Sequence, residues 1–172
     1  MRDISLLLED AVKQMPLGAF LVTGERHNPM TIGWAQWGVI WGKPVCTVLV
    51  RHSRYSHQLI ENGCFTVSVP RFGERKEELR LCGTLSGRDV DKLQAAGLKT
   101  LSPRSNGVGG IAGCAVHFEC KTVLKTEVSM DKLDPVLYGR YYDPAREATA
   151  DGDPHTVYFG EIIAAYREDQ AD

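Results

Sequence analysis

The chain has 172 residues, enough for one domain with its own core and too few for two ordinary ones. Hydrophobic residues make up 43% and charged residues 24%, the balance of a globular chain and not of a disordered one. The formal net charge of -2, with both signs interspersed and no basic stripe, argues against a duplex nucleic-acid partner.

From the N-terminus, residues 4–14 place Ile4, Leu7, Leu8, Ala11 and Val12 on one helical face, and Pro16 stops the run. Leu6-Leu7-Leu8 ends at Glu9 and Asp10, far short of an export signal core. The pattern then turns to strands: 17–23, ending at Gly24, and 31–40, carrying Trp34, Trp37, Val39 and Ile40. A turn at Gly42-Lys43-Pro44 leads into 45–50, an almost continuous apolar run. Residues 55–62 read as a helix closed by Gly63, and 65–69 alternate as a strand with one buried face.

Residues 74–81 form a short charged helix, and 89–96 another, ended by Gly97 and opened by a capping box of Ser86 and Asp89. A Gly-rich loop covers 102–113. Strands follow at 116–121 and 157–166, separated by a long loop, 129–154, that holds Tyr138, Tyr141 and Tyr142. The runs at 45–50 and 162–165 are strand-sized, well below the ~20 residues of a membrane helix. Many strands with short helices predict a barrel or sandwich with helical decoration.

Five cysteines (Cys46, Cys64, Cys82, Cys114, Cys120) show no CxxC and no paired spacing, so the expectation is reduced core thiols, no metal site and a cytoplasmic location. No G-x-S-x-G elbow, G-x-G-x-x-G turn or phosphate-binding Walker loop is present. His27, His52, His57 and His117 lack metal-ligand spacing and read as surface or hydrogen-bonded histidines. Trp37 and Trp41 read as core or interface residues.

Two stretches are chemically informative. Arg51-His52-Ser53-Arg54-Tyr55-Ser56 sits between an apolar strand and a helix start, where guanidinium forks, hydroxyls and backbone N–H groups gather. It reads either as an anion site or as a serine cap with solvated arginines. Asn28-Pro29-Met30-Thr31-Ile32-Gly33-Trp34 offers a strand with one side chain missing at Gly33 and an aromatic wall at Trp34. A bulge beside a core tryptophan is the other reading.

Four segments occur in order: NPMTIGWAQWG, KPVCTVLVRHSRYSHQLIENGCFTVSVP, LCGTLSGRDVDKL and HTVYFGEIIAAY. Together they resemble the flavin reductase-like FMN-binding split-barrel family, near its flavoredoxin-type branch. The resemblance implies a single mainly-β domain over 1–172, a Greek-key split β-barrel with short peripheral helices. It also implies a tight homodimer with FMN held non-covalently at the interface. Carried over by position, Thr31, Ile32, Gly33 and Trp34 meet the isoalloxazine and ribityl chain, while Arg51, Ser53 and Ser56 form the phosphate turn. Cys82, Gly83 and Ser86 line the flavin, and Lys92 reaches toward the phosphate. His155 stands near the open flavin face, where nicotinamide would stack.

Relatives often have Gly-Asp-His before the last strand, whereas this chain has Asp153-Pro154-His155, which leaves the histidine's placement open. The link from 128 to 154 is also long, and it reads as a lid, a dimer arm or a passive insertion. The function implied first is an NAD(P)H-dependent flavin reductase passing hydride from nicotinamide to flavin. A flavoredoxin-type electron carrier with a redox partner protein is the alternative, and a flavoprotein restricted by its lid to a small acceptor is a third.

Overall fold

Every strand of the computed structural model, which describes residues 4–61, 63–145 and 152–168, belongs to one antiparallel sheet. The strands are β1 (Ala19–Thr23), β2 (Asn28–Ile32), β3 (Ala35–Ile40), β4 (Lys43–Arg51), β5 (Cys64–Val69), β6 (Val116–Glu127) and β7 (His155–Arg167). Their order across the sheet is β2-β1-β5-β6-β7-β4-β3. β5, β6 and β7 are successive neighbours and β4 lies beside β7, which is a Greek key.

β2 and β3 stand at opposite edges, yet only Gly33 and Trp34 separate them in the chain. In a flat sheet, six spacings of about 4.8 Å would hold those edges about 29 Å apart. Three residue steps, from Ile32 to Ala35, span at most about 11 Å. The sheet therefore has to curl until its edges meet. Among the described residues no ladder pairs β2 with β3, so the closure is covalent and the barrel is split. The single strand read over 31–40 is thus two strands, because Gly33-Trp34 carries the chain from one edge to the other.

The apolar run of β1 faces two cores. Ala19 and Leu21 point into the barrel with Met30, Val48, Phe65, Val67, Phe118 and Tyr158. Phe20 and Val22 point outward beneath Leu79, Cys82, Leu98, Val108 and Ile111. β5 is buried on both faces for the same reason, where alternation had predicted one. Its polar face is satisfied internally: Thr66 donates to the Val108 carbonyl (2.6 Å), and the Ser68 hydroxyl meets His117 (3.0 Å) and the Ile111 N–H (3.0 Å). The Gly-rich loop is anchored by buried Glu119, which accepts the N–H groups of Arg104, Ser105 and Asn106.

Five helices decorate the described barrel: α1 (Ser5–Gln14), α2 (Tyr55–Ile60), α3 (Lys76–Thr84), α4 (Lys92–Ala95) and α5 (Pro135–Tyr141). α2 stops at Ile60; Asn62, placed in this helix by the sequence, lies outside the described residues. The helix expected over 89–96 shortens to α4, because Asp91 and not Ser86 caps it, accepting from Leu93 N (2.9 Å) and Gln94 N (3.2 Å). The turn read at Gly42-Lys43-Pro44 is Trp41-Gly42, with φ of 54° and 68°, the left-handed pair a two-residue hairpin needs. The long loop contains α5, opened by Asp134 as cap; residues 146–151 of that loop lie outside the description. No helix among the described residues is long and apolar enough to cross a membrane.

Candidate functional site

The curl brings the end of β2, the end of β4 and the start of β7 around one cleft of about 240 Å³. Arg51 and His155 are register partners across β4 and β7, and both line it. Thr31, Ile32, Gly33, Trp34, Met30 and Leu49 supply the opposite wall. A Cβ built on Gly33 meets no atom within 4 Å, so the peptide there faces open space. Thr31 donates its hydroxyl to the Leu79 carbonyl (2.6 Å), which ties β2 to α3.

Trp34 packs against His155 with centroids 4.8 Å apart and meets the edge of Tyr141 at 5.0 Å. His155 is buried, and its Nδ1 lies 2.9 Å from the Tyr142 hydroxyl. Burial, reinforced by the Arg51 charge, pushes the imidazole down to about 4, so it is neutral at pH 7. Burial also raises Tyr142, which keeps its proton.

A second cavity of about 220 Å³ joins the first through Met30 and Arg54, which line both. Arg54, Arg88 and Lys92 face it together with Ser53, Ser56 and Ser86, and its lining contains no Asp or Glu. Arg54 donates to the carbonyls of Gly83 (2.7 Å) and Cys82 (3.3 Å), and Lys92 donates to Cys82 (3.2 Å). These are carbonyls of the last turn of α3, which have no partner within the helix and sit at its negative end. The two cations are therefore built in. Burial, with the Arg54 charge adding to it, drives the Lys92 ammonium down to about 8. Arg54 is lowered as well, first by burial, with Asp153 opposing. Arg88 donates to the Ser53 carbonyl (3.0 Å) and lies 5.3 Å over the Tyr55 ring.

The stretch read as an anion site already holds an anion from its own chain. Asp153 accepts the Ser53 N–H (2.9 Å) and the Ser53 hydroxyl (2.6 Å), with Arg51 at 3.8 Å. Arg51 directs its fork to the carbonyls of Tyr141 (2.8 Å), Asp153 (3.0 Å) and Gly152 (3.3 Å). Asp153 takes a left-handed φ of 48° to reach this position. Gly152 before it has no alternative, since a Cβ there would stand 2.1 Å from the Tyr142 carbonyl oxygen. This latch sets the entry into β7 and hence the place of His155.

Thr31, Ile32, Gly33, Trp34, Arg51 and His155 thus meet in the first cavity, and Ser53, Ser56, Ser86 and Lys92 in the second. Cys82 and Gly83 line neither and act through their carbonyls; burial raises the Cys82 thiol to about 11. The carry-over omitted Arg54, Arg88, Asp153 and Tyr142. Arg54 was visible inside RHSRYS and Arg88 inside SGRDVD, but nothing local marks Asp153 as their neighbour. His52 and His57 are hydrogen-bonded outside the cavities, to Glu127 (2.7 Å) and Thr156 (2.9 Å).

Residues 12–172 match the family model described as Flavin reductase like domain, and the chain belongs to that family. An Archaeoglobus fulgidus protein described as uncharacterized is 32% identical over 151 residues, 86% of this chain and 71% of its own length. The flavoredoxin of Methanosarcina acetivorans superposes with a TM-score of 0.63 at 25% identity, over 89% of this chain and 69% of that one. The NADH:FAD oxidoreductase of Streptomyces globisporus shares the fold with a TM-score of 0.62 at 23% identity, covering 97% and 85%.

Proposed function

We propose that the chain is an FMN-binding oxidoreductase, with the flavin ring in the cleft beside Gly33 and Trp34 and the phosphate in the adjoining chamber. The observation that carries this reading is the chamber itself: three cations and three serines with no carboxylate in its lining. Uncompensated positive charge in a partly dry site favours a bound anion, and guanidinium forks with hydroxyls match phosphate. Arg54, Arg88, Lys92, Ser56 and Ser86 would hold it, with Ser53 at the rim.

FMN, when bound, supplies hydride and single-electron chemistry. The chain's own groups bind and orient. Gly33 exposes peptide groups to the polar edge of a ring, Trp34 provides an aromatic wall, and Arg51 is a fixed positive charge on the ring side. His155, neutral and oriented by Tyr142, offers an uncharged donor and acceptor at the cleft.

Between activities, we favour an NAD(P)H-dependent flavin reductase, in keeping with the family's description. The likeness to a flavoredoxin supports the second reading, an electron carrier with a protein partner. Anaerobic stopped-flow mixing with NADH and then NADPH separates them. Flavin bleaching within seconds is expected of the reductase, and none with either donor would leave the carrier. The homodimer is a further part of this proposal. Val39 (75% exposed), Trp41 (60%), Val136 (75%) and Leu137 (45%) leave apolar surface in water that a second subunit would cover. Light scattering giving a monomer mass for the flavin-loaded protein would remove it.

A further inference from the structure

We infer that a third cavity, behind the phosphate chamber, receives the adenosine half of a flavin dinucleotide, so that FAD binds more tightly than FMN. The inference rests on the flavin reading above and names the form of flavin. This cavity measures about 450 Å³, larger than either of the other two. It shares Tyr55, Gly87, Arg88 and Lys92 with the chamber, so the two are continuous past the cations. FMN ends at its phosphate and would leave this space to water. FAD continues from the same phosphate through a second phosphate to ribose and adenine.

The lining changes character in the order that FAD requires. Arg88 and Lys92 stand at the shared wall, where a pyrophosphate would cross, and Arg26 adds a cation just beyond. Carboxylates absent from the chamber now appear at Glu25 and Asp89. Their side chains make no hydrogen bond or ion pair among the described residues, which leaves acceptors for ribose hydroxyls or an exocyclic amine. Asp91 is committed elsewhere, to the cap of α4. Pro29, Tyr55 and Leu59 give flat or apolar surface for a purine. The wall is rigid at Gly87, where a Cβ would lie 2.1 Å from Asn28 Oδ1.

A nicotinamide donor fits this place poorly. No residue lines both the third cavity and the ring cleft, so a ring bound here could not meet a flavin beside Trp34 and His155. Adenosine attached to the flavin has no such requirement.

The test is equilibrium titration of the purified, flavin-stripped protein with riboflavin, FMN and FAD, read by flavin fluorescence. Wild-type protein is expected to bind FAD at least tenfold more tightly than FMN. Val90→Trp, which fills the third cavity, should bring FAD to the FMN value and leave FMN within twofold. Asp89→Ala, a smaller change read the same way, decides the matter if the tryptophan variant melts early. FMN and FAD binding equally to wild type, or both weakening alike in the variants, would overturn the inference while the flavin reading stands. Failure of all three flavins to bind would end both.

Discussion

Arg51 and Arg54 lie one helical turn apart in the sequence and meet opposite fates. Arg51 is enclosed by its own chain, its fork on three carbonyls and the Asp153 carboxylate 3.8 Å away. Arg54 is held just as firmly, on two carbonyls of α3, but it faces a cavity lined by two more cations and no acid. One arginine has been consumed by structure, and the other retains charge for a ligand. The difference shows that a basic residue beside a helix start is not a site until its counter-charge has been accounted for.

Arg54→Ala should have the largest effect. Loss of a charge-assisted bond is worth roughly 1.5–3 kcal/mol, so FMN affinity should fall about ten- to a hundredfold while riboflavin changes little. Fluorescence titration of both ligands measures this, and equal losses would erase the distinction between the arginines.

On the Arg51 side, acid should weaken the fold. His155 is held at about 4 against an unfolded value near 6.5, so the unfolded chain binds more protons between those limits. Its contribution is complete above about pH 6.5 and is lost as pH falls toward 4, by up to about 3 kcal/mol. His117, also pushed to about 4 chiefly by burial, adds a second decline. Urea melts from pH 7 to 4 should show the fall, and His155→Gln should reduce it to roughly half.

Asp153→Ala breaks both Ser53 bonds of the latch. A loss of about 2 kcal/mol is expected, seen as a lower Tm, with FMN affinity held within twofold. A tenfold change in FMN affinity would mean that carboxylate and phosphate compete for one seat.

Lys92 gives the smallest and sharpest signal. Its ammonium, near 8 without a ligand, should be raised by a bound phosphate, so FMN binding takes up protons around pH 8–9. FMN affinity should weaken severalfold from pH 8 to 9 while riboflavin stays flat. Calorimetry in buffers of different ionisation enthalpy detects the proton, and Lys92→Met should abolish it.

Periodicity and turn chemistry were enough to place most strands and the start of α1, because alternation and glycine or proline stops act within a few residues. They failed at 31–40, where a strand-like pattern hides a crossing from one sheet edge to the other. They failed again at 86–91, where two acidic residues compete to cap one helix. For the site, the residue types were legible and their partners were not. RHSRYS announces an anion site through its own guanidinium and hydroxyl groups. Which of those groups is available depends on Asp153, one hundred residues later, arriving at Ser53 through the pairing of β4 with β7. Composition and local pattern by themselves determined a β-rich, flavin reductase-like chain with basic chemistry after β4. Only the tertiary structure decided which cations are neutralised and which face a cavity, because Coulomb partners are chosen by proximity in space and sequence records that only after the chain has folded.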